Sequence, residues 1–388
     1  MSEISVQLFD DIARIDATPA RYTESSYDFL NRSAWPEVEN IRNLLESWFS
    51  VYPASEKQKL KNEFMSATYS KHFGAWWELY IFAMYRALGY QVKVHPEIPN
   101  SSVDTRPDFL VLDGSTNFYV ECTAVSPRSH SGEQNWSGQA WIYDAINEVN
   151  DPNFYIGLRV INAGTRQPRV SEITRPLRVW LAALDADACG SDIPAFRLNA
   201  KDWELSFSAY PIAPAKRTGT GRLLGILPPS GTFIVNDVDV LHSALRDKGG
   251  KYGGRLDKPL IVALASVTGF TDDEDVTDAV FGRKAIEFSA AQQNSARLSR
   301  LKNGYWRPAD GESPPRGARV SGVLFGQQMS YRTVASAFPK LWVNPWAHHR
   351  LTRTDPFAVV SVQRSGETLE TPGTGSASLF GLPDSWPN

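Results

Sequence analysis

Two acidic residues interrupt consecutive apolar segments that have the composition of β-strands. Asp108 begins DFLVLD, and Glu121 lies 13 residues later in NFYVECTAV. The dipeptide Asp113-Gly114 between the two segments is a tight-turn signal, so the segments are predicted to form a hairpin. A carboxylate buried in a sheet costs several kcal/mol unless it is paired, hydrogen-bonded or bound to a cation. The fold must therefore supply a compensating partner at this hairpin.

Helical and β-type periodicities surround the hairpin in a regular order. Pro53 separates two amphipathic segments, and Gly89 ends a largely apolar helical segment that contains Glu78. The order around the hairpin is helix, three strands, helix, strand. The predicted elements are helices within 37–64, at 72–90 and at 139–151, strands at 91–98, 107–114, 117–125 and 153–161, and a polar loop at 126–138.

Alternating segments continue beyond residue 165, as is typical of α/β proteins. The stretch from Arg283 to Gly317 is polar and rich in Gly, Pro and Arg, which predicts a long loop, and the C-terminal tail has the composition of a poorly ordered segment. The segments predict helices near 172–186, 237–247 and 273–281 and strands near 203–213, 223–226, 232–235, 258–267, 322–326 and 341–345.

These segments together predict an α/β fold with a mixed central sheet flanked by helices. The length of 388 residues suits two domains or one elaborated core. We expect an N-terminal helical cap over residues 1–70, a core over 71–165 and a C-terminal α/β extension over 166–388. Within that extension, residues 284–317 and the tail 365–388 are expected to be flexible.

Composition and charge narrow the functional classes. A net charge of −3 and a pI near 6.1 give no global basic field, so a polyanion would have to be bound by a local basic strip. Cys122 and Cys189 are too few for a disulfide framework or a four-ligand zinc site, which favours reduced thiols. The acidic N-terminal segment and the lack of a run of about 18 apolar residues predict a cytoplasmic protein without a membrane span.

The segments RPDFLV and FYVECT, which contain Asp108 and Glu121, resemble the PD-(D/E)XK, or restriction-endonuclease-like, nuclease superfamily. In that superfamily an acid after proline pairs with an acid on the next strand, within a core of helix, three strands, helix and strand. The resemblance covers about a quarter of the chain. It implies that Asp108, Glu121 and the Cys122 backbone carbonyl bind Mg²⁺ or Mn²⁺, and that Glu78 joins the site from the preceding helix.

The chain departs from the superfamily pattern at one position, because the lysine expected two residues after the second acid is Thr123. The Thr123 side chain shares a strand face with Glu121, but a hydroxyl cannot supply the positive charge of an ammonium group. The superfamily allows this lysine to migrate to another element, for which Lys93 on the preceding strand is a candidate. Gln139 on the following helix is a candidate for an orienting hydrogen bond.

A second cluster suits contact with phosphate. Residues 246–255, RDKGGKYGGR, place Lys248, Lys251 and Arg255 among glycines after a predicted helix, which would suit phosphate contacts from side chains and free backbone amides. A solvated loop explains the same pattern. The segment does not match a Walker A loop, the pair His348-His349 has no ligands at zinc spacing, and no GxSxG elbow occurs.

The resemblance implies a Mg²⁺-dependent endonuclease that acts on nucleic acid, with DNA favoured over RNA and restriction or anti-phage defence as its role. The main alternative is a catalytically silent module that binds nucleic acid or a partner protein, and a third is a structural protein that self-assembles. The acids also have simpler explanations. Asp108 could accept backbone amides, Glu121 could pair with Arg106 or Lys93, and Glu78 could cap or pair locally.

Overall fold

The chain folds into two compact units in a computed structural model. Unit 1 comprises Met1–Thr18, Ser25–Pro127 and Asn236–Asn388, and unit 2 comprises Pro19–Glu24 and Arg128–Val235. This division crosses the predicted boundaries at residues 70 and 165. The structure describes residues 6–99, 105–114, 116–125, 130–189, 193–217, 222–226, 237–266, 271–287, 297–363 and 366–388.

Unit 1 contains an eight-stranded mixed sheet with the order β1-β2-β3-β8-β11-β12-β13-β14, and a separate hairpin of β9 and β10. Its helices are α1 (Ser26–Arg32), α2 (Pro36–Ser50), α3 (Ala54–Phe64), α4 (Tyr69–Ala87), α7 (Asp237–Gly250) and α8 (Asp273–Phe281). Its strands are β1 (Gln91–Val94), β2 (Phe109–Asp113), β3 (Thr116–Val125), β8 (Leu260–Ser266), β9 (Lys284–Glu287), β10 (Arg297–Arg300), β11 (Gly322–Gly326), β12 (Lys340–Val343), β13 (Val359–Val362) and β14 (Thr368–Thr371), and a 3₁₀ turn spans Ala377–Phe380.

Helices cover both faces of the unit 1 sheet. Strand β8 is buried at all seven positions and is apolar except at Ser266, as expected for a strand covered on both sides. On one face the indole of Trp77 on α4 donates a 3.0 Å hydrogen bond to the Ala263 carbonyl oxygen. On the other face Tyr119 and Val262 share a core with Leu241 on α7 and with residues of α8. The predicted α/β class, a mixed sheet flanked by helices, is confirmed.

Unit 2 contains a four-stranded sheet in the order β5-β6-β4-β7. Residues of α5 and α6, such as Ile146 and Leu177, pack with Leu158 on β4 and Phe207 on β6 in one buried cluster. These helices therefore cover a single face of the sheet. The elements are α5 (His130–Asn147), β4 (Phe154–Asn162), α6 (Val170–Ala182), β5 (Ala195–Ala200), β6 (Trp203–Pro211) and β7 (Leu224–Ile226), with a 3₁₀ turn at Pro214–Lys216.

The strand predicted at 153–161, within the expected core 71–165, does not belong to the sheet of the β2–β3 hairpin. The predicted strand at 153–161 exists as β4, but it pairs with β6 and β7 in unit 2. The parallel neighbour of β3 is instead β8, with Glu121 aligned to Val262. Unit 2 is inserted into the chain between β3 and α7. An alternating apolar strand fits either sheet, so local pattern cannot decide the pairing.

Three segments predicted to lack structure contain regular elements. Helix α5 begins at His130, within the predicted loop 126–138. The predicted flexible stretch 284–317 contains the β9–β10 hairpin and the buried Trp306. The tail contributes β14, and its Phe380 ring packs 4.8 Å from Trp48. In the last two segments, packing partners distant in the sequence stabilise Trp306 and Phe380. The predicted strand at 232–235 lies outside the described residues.

Replacing Trp77 should destabilise unit 1 strongly. The side chain is fully buried and holds α4 against β8, so we expect Trp77→Ala to lower the free energy of unfolding by about 3–5 kcal/mol. Trp77→Phe keeps part of the ring and should cost less, although it loses the hydrogen bond to Ala263. Urea unfolding followed by circular dichroism measures both. Val51→Ala, at a position that is 56% exposed, is the control. An equal loss of unfolding free energy in this variant would contradict the role of Trp77 in holding α4 against β8.

Candidate functional site

The two sequence-predicted acids come together at the start of the β2–β3 hairpin. Phe109 pairs with Val120 in the antiparallel ladder, so Asp108 lies opposite Glu121 one step beyond. The Asp108 Oδ2 accepts a 2.6 Å hydrogen bond from the Cys122 backbone N–H. The backbone amide predicted as a simple partner for Asp108 is therefore present. Both carboxylates belong to unit 1.

Glu121 is completely buried and is surrounded by donors. Its Oε1 accepts hydrogen bonds of 2.8 Å from the ammonium groups of Lys248 and Lys251, and its side chain is 0% exposed. Its Oε2 accepts from the hydroxyl of Tyr252, which also lies 3.1 Å from the Arg106 carbonyl oxygen. The compensating ion pair is present, but its lysines are not Lys93, and Arg106 contributes only a carbonyl oxygen.

Helix α7 and the turn after it deliver these donors. Lys248 lies in the last turn of α7, and Lys251 and Tyr252 follow in the adjoining turn. Gly249 permits the close packing of this helix end, because a Cβ there would lie 2.8 Å from a Val320 methyl carbon and would meet the Tyr305 hydroxyl. Gly253, with φ of +59°, reverses the chain after Tyr252. The two glycines therefore permit the backbone geometry of the segment that carries Lys251 and Tyr252.

Burial and like charge shift the protonation of the acids. Burial, followed by the charges of Glu121 and Glu78, raises the pKa of Asp108 to about 8. Burial also raises the pKa of Glu78. For Lys248, burial acts to lower the pKa, but the charge of Glu121 and the hydrogen bond to it outweigh burial and the pKa is raised. Near neutral pH Asp108 therefore holds its proton, beside a Lys248 whose charged form Glu121 stabilises.

Glu78 lies on α4, the helix from which the resemblance implies that it joins the metal site, but its side chain accepts a hydrogen bond from another residue. Its Oε1 accepts a 2.7 Å hydrogen bond from the hydroxyl of Tyr52. The charge of Glu78 still acts on Asp108 and on the Cys122 thiol, whose pKa is raised by burial and then by the neighbouring acids. Glu78 is thus electrostatically part of the site.

The carboxylate oxygens of Asp108 and Glu121 and the Cys122 carbonyl oxygen suit a hard divalent cation, which prefers such ligands. Burial and the like charges of Glu121 and Glu78 raise the pKa of Asp108, and a bound cation would favour its ionised form. Within the described part of the chain, however, no three His, Cys, Asp or Glu side chains converge as a metal-ligand group. A cation would therefore be held by Asp108, Glu121 and the Cys122 carbonyl together with water, and the metal site stays a prediction.

We call Glu121 with its partners Lys248, Lys251 and Tyr252 the Glu121 cluster. The remaining predicted residues lie either beside this cluster or apart from it. Thr123 lies next to it and lines, together with Lys248, a cavity of about 400 Å³ between the end of β3 and α7. Lys93 is exposed on β1 and is not among the groups bonded to Glu121. Gln139 belongs to unit 2, where it accepts from the Tyr143 hydroxyl at 3.4 Å. The Arg255 guanidinium donates to the Tyr252 carbonyl oxygen.

Sequence reasoning missed that Lys248, Lys251 and Tyr252 are the partners of Glu121. Lys248 and Lys251 were predicted only to contact nucleic acid, and Tyr252 was given no role. The available signal was the pairing of a buried acid with a cationic, glycine-rich helix end elsewhere in the chain. Their separation of more than 120 residues hid the connection.

Comparison of the chain with protein-family models, curated proteins and solved structures finds no match in any of the three. What the site does must therefore be argued from its own residues.

Asp108 makes the stability of unit 1 depend on pH. Its folded pKa of about 8 lies above the ordinary aspartate value of 3.8, so its stabilising contribution is complete below about pH 4 and is lost as the pH rises toward 8. Asp108→Asn removes this titration while keeping a side-chain oxygen for the Cys122 amide. We expect the variant to gain stability relative to wild type between pH 5 and 8, by at most about 1.4 kcal/mol per pH unit. Urea unfolding of wild type and Asp108→Asn at pH 5 and pH 8 tests this. A stability difference between the two proteins that is the same at both pH values would contradict it.

Proposed function

We propose that the protein is a metal-dependent phosphodiester hydrolase, a nuclease of the PD-(D/E)XK type in which α7 supplies the lysine missing at Thr123. One observation carries the proposal: two acids on adjacent strands meet two lysines from a separate helix end in a buried cluster. An ordinary surface ion pair would not require a fully buried carboxylate between two ammonium groups.

The topology of unit 1 supports the same proposal. Helix α4 is followed by β1, β2 and β3, and after the insertion of unit 2 the chain continues with α7 and β8. This sequence of helix, three strands, helix and strand is the order that the resemblance implies. In this interpretation α7 and β8 take the places that α5 and β4 were expected to fill. The lysine then comes from the second core helix.

Each side chain has a definite task in the proposed reaction. Asp108 and Glu121 would hold a Mg²⁺ or Mn²⁺ ion, which lowers the pKa of a bound water and offsets charge on the phosphate. Lys248 lies between Glu121 and the 400 Å³ cavity, so its ammonium group can orient a water or bind a phosphate oxygen there. Thr123 lines the same cavity and offers a hydroxyl to substrate.

The paired lysines also bear on how substrate would be held. Both ammonium groups bond to the same oxygen of Glu121, so a cation there would compete with at least one of them. A displaced lysine would remain on the α7 end and carry its charge beside the site. Positive charge next to a carboxylate-bound cation suits a phosphodiester, which is itself an anion.

The substrate and setting follow from the resemblance and are part of the proposal. DNA is favoured over RNA, with restriction or anti-phage defence in the cytoplasm as the role. Two free cysteines agree with a reducing compartment. No helix among the described residues is both long and apolar enough to cross a bilayer.

The competing function is a silent nuclease-fold module that binds nucleic acid or a partner protein. It is favoured by Glu121, because both carboxylate oxygens of this residue already have partners within the chain.

Cleavage of supercoiled plasmid and single-stranded DNA with Mg²⁺, Mn²⁺ or EDTA tests the proposal. We expect metal-dependent cleavage that falls at least 100-fold in Asp108→Asn and Glu121→Gln, because each change removes a carboxyl group that would ionise on binding the metal. Lys248→Gln should lower kcat by about 10²- to 10³-fold, since it removes electrostatic stabilisation without removing a metal ligand.

Lys284→Gln is the matched control, because this exposed lysine pairs with Glu274 at the surface. It should cleave like the wild-type protein. Circular dichroism of every variant verifies folding. Cleavage that survives in Asp108→Asn and Glu121→Gln would place the chemistry elsewhere, and DNA binding without cleavage under any metal would favour the silent module.

A further inference from the structure

Among the described residues, helices pack on only one face of the unit 2 sheet. Helices α5 and α6 cover the face formed by residues such as Leu158 and Phe207. Because side chains alternate along a strand, Tyr155, Arg159 and Arg197 project from the opposite face, and all three are exposed. We name this surface the open sheet face.

Cross-strand register arranges the open sheet face in rows. Ser206 on β6 is aligned with Arg159 on β4 and with Arg197 on β5, so both guanidinium groups flank one small residue. Strands lie about 4.8 Å apart, which separates the two arginine backbones by about 10 Å. Long side chains at this spacing can contact successive phosphates of one strand.

A second row carries aromatic rings. Tyr155 on β4 is directly opposite Tyr210 on β6, and Tyr155 is 46% exposed. The side chain of Tyr155 lies over Gly225 on β7, where an added Cβ would come within 3.1 Å of it. The glycine therefore gives the tyrosine a flat support and leaves the rest of the ring to solvent.

Small residues separate the two rows. Ser208 is aligned with Gly157 on one side and with Ala195 on the other. The arginine and tyrosine rows are four residues apart along β4, or about 13 Å, close to four steps of about 3.4 Å between stacked nucleotides. The described residues of β4, β6 and β5 in this row are Gly157, Ser208 and Ala195, so a flat chain can lie across them.

The charge of the open sheet face is positive at the arginine row. Glu204 lies in the next row beyond Ser206, aligned with Asn199 and Asn162, and is the acid nearest to the arginines on β6. Among the described residues, neither Arg159 nor Arg197 makes an ion pair or a hydrogen bond. Within the described part of the chain, two unpaired guanidinium groups thus share the open sheet face with the exposed ring of Tyr155.

We propose that the open sheet face binds single-stranded nucleic acid, with phosphates on Arg159 and Arg197 and bases stacked on Tyr155 and Tyr210. Exposed rings on a sheet stack on unpaired bases, whose faces are accessible, whereas the bases of a duplex already stack on each other. Arginines at a fixed distance from the rings bind the backbone of the same strand. The site does not depend on the proposed nuclease activity.

Fluorescence anisotropy of labelled 12-nucleotide oligo(dT), oligo(U) and a DNA duplex with the full chain tests this inference in EDTA, which prevents metal-dependent cleavage. We expect single strands to bind more tightly than the duplex, and the two single-strand probes distinguish DNA from RNA. Tyr155→Ala should weaken binding about tenfold or more, whereas Tyr155→Phe should retain it. The double variant Arg159→Ala, Arg197→Ala should reduce the slope of log affinity against log salt by about 1.4.

Arg175→Ala is the control for charge, because this exposed arginine lies on α6, the helix that covers the opposite face. Its affinity should equal that of wild type. The inference is overturned if no oligonucleotide binds, if the duplex binds as tightly as the single strands, or if Arg175→Ala weakens binding as much as the double variant. Binding that persists in a protein without cleavage activity would overturn only the proposed nuclease.

Discussion

The structure of unit 1 depends on how the chain accommodates the buried carboxylate of Glu121. The residue is fully enclosed, and Lys248, Lys251 and Tyr252 all donate to it. Loss of any donor would leave part of a charge unpaired in a medium of low polarity, which costs far more than a broken surface ion pair. Because the donors come from the end of α7, this requirement also fixes α7 against β3. One electrostatic constraint therefore ties the hairpin to an element more than 100 residues away.

The insertion of unit 2 separates elements that the sheet of unit 1 brings together. The chain leaves this sheet after β3 and returns at α7, and β8 then pairs in parallel with β3 along seven residues. Pairing across such a distance carries a loop-closure cost, although that cost grows only slowly with length. An inserted unit with its own core holds its two ends in a defined geometry and reduces the cost further. The buried cluster of α5, α6, β4 and β6 is such a core.

Local patterns were sufficient for most elements and insufficient for their pairing. The helices broken at Pro53, the helix ended by Gly89, the strand β11 and the hairpin of β2 and β3 follow from periodicity and turn chemistry, which act within a few residues. The place of β4 and the lysine partners of Glu121 depend on contacts between distant segments. The acids were found because a charge inside an apolar strand is visible in the sequence itself. The partners of Glu121 were hidden because lysines on a glycine-rich turn have the same sequence pattern whether they face solvent or a buried acid.

Stability alone is a weak reason for the Glu121 cluster to exist. Well-packed apolar residues of similar volume often replace a buried ion pair with no loss, or with a gain of about 1–4 kcal/mol, because desolvation offsets the attraction. The cluster also sits beside Asp108, whose pKa is raised by burial and by the charges of Glu121 and Glu78, so its carboxylate form is disfavoured there. Strain of this kind is concentrated where function requires it. The lysine side chains are 29% and 34% exposed, so the ammonium groups reach the carboxylate from the surface and can exchange partners without unfolding α7. A purely structural ion pair has no need of that access, whereas a site that must bind and release a phosphate does.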